Sequence, residues 1–362
     1  MTELFLLDQN FSLLGVIDSF ISLVWTRNYY CAGEFTLTAF PEHYPLLSDC
    51  KFIHRKDIDE TVIVESLSFS GSESGGKVTA SGRSVKALLA SRIIDSRVSL
   101  SGFSEDVILS LVSAFAVNPT ASARKISSLS LAESQHRGSY ASFSLLGENL
   151  LDCIEQIAAA DSLSCDISFS FSENSLVFKV WQGIDRTDSQ TENSKAIFSD
   201  DFENVRTHKL IRSSSDYKNF AYVSGSDYGC EDIIETVDLS NGSERFEVWI
   251  NAGRVKESGT EFDETLYRSS LKRKGLEKLS QYSRSEYAEA QLSPNSSLLY
   301  RKDFDLGDLC SYIPYPSGSV IEDRITSVCE TFKDNAVSVC VTLGSGPLSV
   351  VEQLKRGGFY LP

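Results

Sequence analysis

The chain has 362 residues, 41% of them hydrophobic and 23% charged, and a net charge of −16. That length points to roughly two to four domains at about 150 residues each. The acidity argues against gripping nucleic acid through a basic face. No run approaches the roughly 18 apolar residues that a membrane-spanning helix needs. Ordinary solubility accounts for such a charge, and so does an acidic surface past which DNA slides without sticking.

The N-terminal run MTELFLLDQNFSLLG has no basic start, and Glu3, Asp8 and Gln9 interrupt it. No secretory signal is expected, and the protein is expected to stay in the cytosol or join something assembled there. Residues 1–82 read as almost purely β. TVIVESLSF (61–69) and KVTASG (77–82) flank the Gly-rich turn SGSESGG (70–76), a hairpin pattern. SEDVILSLVSAFAV follows as a helix with Ser104 as N-cap and an apolar stripe of Val107, Leu111, Ala114 and Phe115. Asn118-Pro119 ends it. GENLLDCIEQIAAAD predicts a second helix with Leu150, Ile154, Ile157 and Ala158 on one face. A hairpin comes next: Cys165, Ile167, Phe169 and Phe171 alternate on one strand, Leu176, Phe178 and Val180 on the other, and SENS turns between them. Residues 205–250 return to strand. ETLYRSSLKRKGLEKLSQY predicts a third helix with a Tyr267, Leu271, Leu279, Tyr282 stripe, and the remainder is strand again. This is not the regular βαβ alternation of a parallel α/β fold. It fits β-barrels or sandwiches interrupted by α+β modules. A faint echo links 62–82 to 320–344: each has a strand with an acidic residue, a polar turn and an alternating strand ending in Gly. The echo would mean two similar β-domains.

Chemistry is hard to find. The eight cysteines form no CxxC pair and read as reduced, mostly buried small hydrophobes. His43, His54, His136 and His208 form no HExxH motif and flank no GxSxG elbow. SGSESGGK lacks the helix that a phosphate loop requires, and GSDYGCEDIIE breaks the EF-hand order. No cofactor or metal is expected. The stretch WQGIDRTDSQTENSKAIFSDDFENV crowds Asp185, Arg186, Asp188, Asp200, Asp201 and Glu203 together. Asp185 can close a turn on its own backbone, and the planar fork of Arg186 can take a carboxylate on another segment or chain. Asp185 with Glu203, or Glu65 with Glu235, are conceivable acid pairs for glycoside hydrolysis, but sequence gives no distance between them.

These residues resemble a signature of tail-hub proteins of long-tailed phages and prophages. GIDRT…AIFSDDFENV supplies Gly183, Asp185, Arg186, Thr187, Phe198 and Asn204, and YKNFAYVSG supplies Asn219 and Gly225. VWTRNYYCAGEFTLTAF adds Trp25, Gly33, Glu34 and Phe35. VTASGRSVKALLASRII adds Gly82 and Arg83 before a leucine-rich helix, YRKDFDLGDLCSY adds Gly307 and Asp308, and EDRITSV adds Arg324. The matches stand in the right order over residues 20–330.

The resemblance implies a mainly β fold with α+β insertions, similar to the trimeric baseplate hub of contractile-tailed phages. Two β-barrels per chain would give a homotrimeric ring of six that matches a six-fold tail tube. The expected domains are a first barrel at 1–95, an α+β insert at 96–200, a second barrel at 201–250 and 300–345, a helical insert at 251–299 and a C-terminal tail at 346–362. The residues just named would serve assembly, with no catalytic role. Expected partners are further copies of the chain, a distal tail or baseplate ring protein, tail tube and tape-measure proteins, and a tail-tip fibre or receptor-binding protein. DNA would pass without specific binding, no membrane would be involved, and the location would be the virion tail tip after assembly in the host cytoplasm. Related proteins often continue into a peptidase, lysin or fibre, whereas this sequence stops at LKRGGFYLP. Wall digestion or receptor binding is therefore expected of another protein, and Phe359, Tyr360 and Leu361 beyond a Gly357-Gly358 hinge are expected to dock on a neighbour. Two rival readings remain: a virion-associated cell-wall hydrolase using Asp185 with Glu203, and a carbohydrate-binding tail-tip module stacking sugars on WTRNYY.

Overall fold

Short apolar runs broken by turn residues build the first strands: β1 (Leu4–Leu7), β2 (Leu13–Ile17), β3 (Ser22–Asn28) and β4 (Glu34–Ala39). A 3-10 turn at Pro41–His43 and α1 (Tyr44–Asp49) follow, then β5 (Phe52–Arg55), β6 (Glu60–Ser72) and β7 (Gly75–Ser84). The computed structural model describes residues 2–344 except 73–74, 172, 226–232, 253–263, 281, 283–284, 294–295, 316–317, 319 and 335. The C-terminal tail 346–362 and most of GSDYGCEDIIE therefore lie outside the described residues. The chain forms two compact units, one of residues 1–209 with 288–344 and one that includes residues 210–287.

In the larger unit, successive side chains leave a strand on opposite faces. Leu4, Leu6, Ile53 and Val62 thus enter one core with Trp25, Phe35, Leu37, Val78 and Ala80. Their neighbours Leu7, Phe52 and Ile63 enter a second core on the other face. That second core is roofed by the module after β7. A 3-10 segment at Val85–Ser91 stands where a leucine-rich helix was expected. Then come β8 (Val98–Phe103), α2 (Ser104–Val112), β9 (Leu129–Leu131), β10 (Tyr140–Leu145), α3 (Leu150–Ala160), β11 (Ser164–Ser170) and β12 (Ser175–Trp181).

The expected hairpin forms with Cys165 opposite Val180, Ile167 opposite Phe178 and Phe169 opposite Leu176, one buried row. Leu150, Ile154, Ile157 and Ala158 of α3 pack on it with Val107, Leu111 and Phe115. Ala114, expected on the same stripe, is exposed and Ala116 is buried. Residues Ser113–Val117 wind as a wider π turn, which rotates the face. Ser104 is not the cap of α2. It is the first helical residue, the Phe103 side chain caps nothing, and the Ser104 hydroxyl donates to Asp161. Asn149 does cap α3, accepting from the N–H groups of Leu151 and Asp152.

β13 (Ile197–Ser199) and β14 (Val205–Ser213) follow. The smaller unit holds β15 (Phe220–Ser224), β16 (Ile234–Asp238), β17 (Glu247–Asn251) and α4 (Glu264–Ser280). Its sheet runs β16-β15-β17, and Tyr267, Leu271 and Leu279 of α4 are buried with Val223, Val237 and Ile250. Tyr282 lies beyond the end of the helix. The chain then adds β18 (Ser285–Leu292), β19 (Leu309–Ile313), β20 (Ile321–Lys333) and β21 (Ala336–Gly344).

The large sheet has 13 strands in the order β14-β18-β21-β20-β3-β4-β7-β6-β5-β1-β2, with β19 beside β20 and β13 beside β19. The fold is mainly β, as expected. Among the described residues the path is open and no sheet closes. The turn expected at 70–76 is shorter, because β6 and β7 stay paired out to Ser72 and Gly75.

His54 on β5 is 1% exposed, shares a hydrogen bond with Thr61 Oγ1 at 2.9 Å and lies edge-on to Phe171. Burial holds its imidazole below the ordinary value, opposed by the Asp59 carboxylate. The unfolded chain takes up this proton near pH ~6.5 and the folded chain resists it, so stability is lost as pH falls below about 6.5. Thermal melts across that range should show a smaller acid-side loss in His54→Gln than in the native protein. Equal slopes would contradict the buried neutral imidazole.

Candidate functional site

Five of the motif positions meet at one place in the larger unit, although the sequence separates them by more than a hundred residues. After β12 the chain passes Gly183 against Gly307, so close that a Cβ on Gly183 would fall on the Gly307 carbonyl. Gly307 itself has φ +85°, and a side chain there would strike the Tyr29 and Trp181 rings. Asp308, 4% exposed, collects three donors: Ile184 N–H at 2.8 Å, Arg186 Nε at 2.8 Å and Asp305 N–H at 3.0 Å. Arg186 also donates from Nη1 to Ser194 Oγ at 2.5 Å. Its backbone N–H donates to Leu309 O at 2.8 Å, and its carbonyl accepts from Ala196 N–H at 2.8 Å. Arg324 of β20 closes the knot. Its Nη1 donates to Gly307 O, and its guanidinium lies 5.1 Å over the Tyr29 ring. The result is a clasp in which one carboxylate and two guanidiniums fix the 183–187 segment along β19, on the edge opposite the one that β20 occupies.

Asp185 closes a turn. Its Oδ1 accepts from Thr187 N–H at 2.9 Å and Thr187 Oγ1 at 2.7 Å, and these bonds hold the carboxyl below the usual carboxylate range. Thr187 is buried. The chain continues into β13, where Phe198 is fully buried edge-on to Phe304. Asn204 shuts the next turn, accepting from Ser199 N–H at 2.9 Å and donating to Ile197 O at 2.8 Å.

A second group sits on the first hairpins. Phe35 of β4 is buried between Trp25 and Gly82 in register. A Cβ on Gly82 would fall on Ile63 O, beside the bulge between Val64 and Ser66. Gly33 exchanges bonds with Ser84, and Glu34 is exposed beside Arg83. Arg83 grips Glu65 with a two-pronged contact at 2.9 and 2.6 Å, which holds that carboxyl below the usual range. Trp25 donates from Nε1 to Glu60 at 3.0 Å. In the smaller unit, Asn219 bridges Glu244 O and Phe246 N–H at 3.0 and 2.7 Å, and a side chain on Gly225 would strike Tyr267.

Sequence reasoning missed the residues that carry most of the long-range charge. Arg55 is fully buried between the Trp25 and Phe332 rings, and it pairs with Glu330 at 2.9 Å and Asp57 at 2.7 Å. Arg27 pairs with Glu60 and, at 2.6 Å, with Asp305. No local spacing could have found partners some 275 residues apart.

A glycosidase proton donor needs a raised pKa, and Asp185 and Glu65, each held low by its donors, do not suit that one role. Trp25 and Tyr29 of WTRNYY are 2% and 0% exposed, so they are core residues rather than a sugar platform.

Residues 3–345 match a family model described as Siphovirus ReqiPepy6 Gp37-like protein. Among solved structures, the chain is similar to a tail protein from Neisseria meningitidis MC58 (TM-score 0.57, 10% identity, covering 95% of this chain and 96% of that one). It is also similar to the 43 kDa tail protein of prophage MuSo2 from Shewanella oneidensis (TM-score 0.57, 15% identity, 94% and 98% covered). A third likeness is to the prophage tail protein gp18 from Listeria monocytogenes EGD-e (TM-score 0.54, 14% identity, 99% and 98% covered). At these identities the likeness is one of fold. A search of curated proteins gave no match.

Removing one partner of a buried ion pair leaves the other charge stranded at a cost of about 3–5 kcal/mol, whereas an exposed pair contributes less than about 1 kcal/mol. Asp308→Ala should therefore lower denaturant stability by about 3 kcal/mol or more, and Glu65→Ala by less than about 1 kcal/mol. Equal losses in urea titrations would show that the clasp does not organise the fold.

Proposed function

The chain belongs to the Siphovirus ReqiPepy6 Gp37-like protein family, a phage tail family whose members are virion-associated, and from that premise we propose that it is the tail-tip hub of a siphophage or prophage. In this reading three copies form a ring that closes the distal tail tube, takes up tail-tip proteins below and leaves a channel for DNA. One observation carries it: the large sheet contains two successive runs of strands, β14-β18-β21-β20 and β3-β4-β7-β6, each ending on a long hairpin with a bulge. Two similar halves per chain and three chains give six, which is what a three-fold ring beneath a six-fold tube requires.

On this reading the halves are the two β-barrel hub domains, the first at 1–95 and the second, expected at 201–250 with 300–345, built instead from β14, β18, β20 and β21. Residues 96–200 are one insert, the smaller unit with β15–β17 and α4 is the other in place of 251–299, and 346–362 is a tail for docking on a neighbour. The motif residues from Trp25 to Arg324 hold the halves in register and have no catalytic role. Further partners are a distal tail or baseplate ring protein, the tail tube, the tape-measure protein and a fibre or receptor-binding protein. No membrane or cofactor is involved. Assembly takes place in the host cytoplasm, and the finished location is the virion tail tip. A net charge of −16 disfavours adhesion of passing DNA.

Native mass spectrometry of the full chain, alone or with its tail partners, should give three copies per particle, and a strictly monomeric protein would overturn the hub reading. Zymograms on host wall should stay uncleared, whereas clearing that Asp185→Asn abolishes would establish a hydrolase instead.

A further inference from the structure

The two runs of strands follow one plan in detail. β6 and β20 are each 13 residues long. Each begins with four residues antiparallel to a short strand: Glu60–Ile63 against Phe52–Arg55, and Ile321–Arg324 against Leu309–Tyr312. Each then bulges after its fifth residue, between Val64 and Ser66 and between Ile325 and Ser327, in its pairing with the strand that follows it in sequence. From there the orders β6-β7-β4-β3 and β20-β21-β18-β14 correspond, so β14 holds in one run the place that β3 holds in the other.

The runs differ in one respect. The far half of β20, Ser327–Lys333, is covered by β3, and Val328 and Glu330 there are buried. The matching half of β6, Ser66–Ser72, pairs with β7 alone among the described residues. Ser66, Ser68, Phe69, Ser70 and Gly71 are exposed, Phe69 by 56%. At the other end of the path, β14 pairs with β18 alone among the described residues. The chain thus makes the β20·β3 junction once inside itself and leaves both halves of the same junction open, one at each run.

We propose that the free edge of β6, Ser66–Ser72, receives the Val205–Lys209 part of β14 from a second copy of this chain, repeating between chains the junction that β20 makes with β3 within one. This rests on the hub reading above and names the surfaces that would build the ring. The two edges are different surfaces, so copies add head to tail, and such a contact closes into a ring when its rotation permits. Unpaired strand edges supply the backbone hydrogen bonds. The charges permit it: Ser66–Ser72 carries no charged residue, so nothing on that edge repels Arg206 and Lys209 of Val205–Lys209.

The test uses full-length protein with p-benzoylphenylalanine in place of the exposed Ser68, irradiated and then digested for peptide mass spectrometry. Covalent dimers and trimers should form, with the label joined to residues 205–209 of another copy. The same label at Ser101, exposed on β8, should give about tenfold fewer of them or less. Ser68→Lys combined with Ser70→Lys sets like charges against Arg206 and Lys209. It should weaken self-association about tenfold or more while leaving the melting temperature unchanged. Three copies per particle with links landing elsewhere, such as Leu13–Ile17, would overturn this junction and leave the hub reading intact. A monomer giving only links within one chain would overturn both.

Discussion

The fold depends on the backbone of Gly183 lying directly against that of Gly307. The approach is possible only because Gly183 has no side chain, while the bare Gly307 leaves room for the Tyr29 and Trp181 rings, and it places Asp308 where it can take Ile184 N–H and the Arg186 guanidinium at once. A buried ion pair adds little net stability but penalises alternatives, because any other register strands a charge. The clasp therefore works as a register pin. It fixes where the chain leaving the α+β module joins β19, and through Arg324 it ties β19 to β20, the strand through which the two runs of the large sheet meet.

The same logic recurs one layer away. Arg55 on β5 reaches Glu330 on β20 between the Trp25 and Phe332 rings, and Arg27 on β3 reaches Glu60 and Asp305. The Arg55–Glu330 and Arg27–Asp305 pairs join early and late parts of the sequence within the larger unit. If the two sheet halves are presented to neighbouring copies as proposed, this arrangement helps, since slippage of one half against the other would misplace every external edge.

Much of this was legible in the sequence. Strict alternation in CDISFSFS and LVFKVW gave the β11–β12 hairpin with Cys165, Ile167, Phe169, Leu176, Phe178 and Val180 inward, whereas Phe171, expected on the same row, lies past the end of β11 and is exposed. Helical periodicity gave α2, α3 and the buried stripe of α4. What failed was local geometry that propensity does not encode. The π turn after α2 moved Ala114 out of the core, and the Ser104 hydroxyl found Asp161 instead of a helix N–H. The motif residues were legible as a set, and so was the ability of Arg186 to take a distant carboxylate. The identity of that carboxylate was not, because contacts between residues 186 and 308 leave no trace in spacing. The faint echo between 62–82 and 320–344 turned out to mark two hairpins with the same length of first strand and the same bulge.

The central claim is that two like sheet halves per chain assemble three-fold around an opening. Single-particle electron microscopy of the purified full chain tests it most directly. The account predicts end-on averages of a ring with six similar lobes around a clear centre. Compact particles with neither lobed symmetry nor a central opening would contradict it.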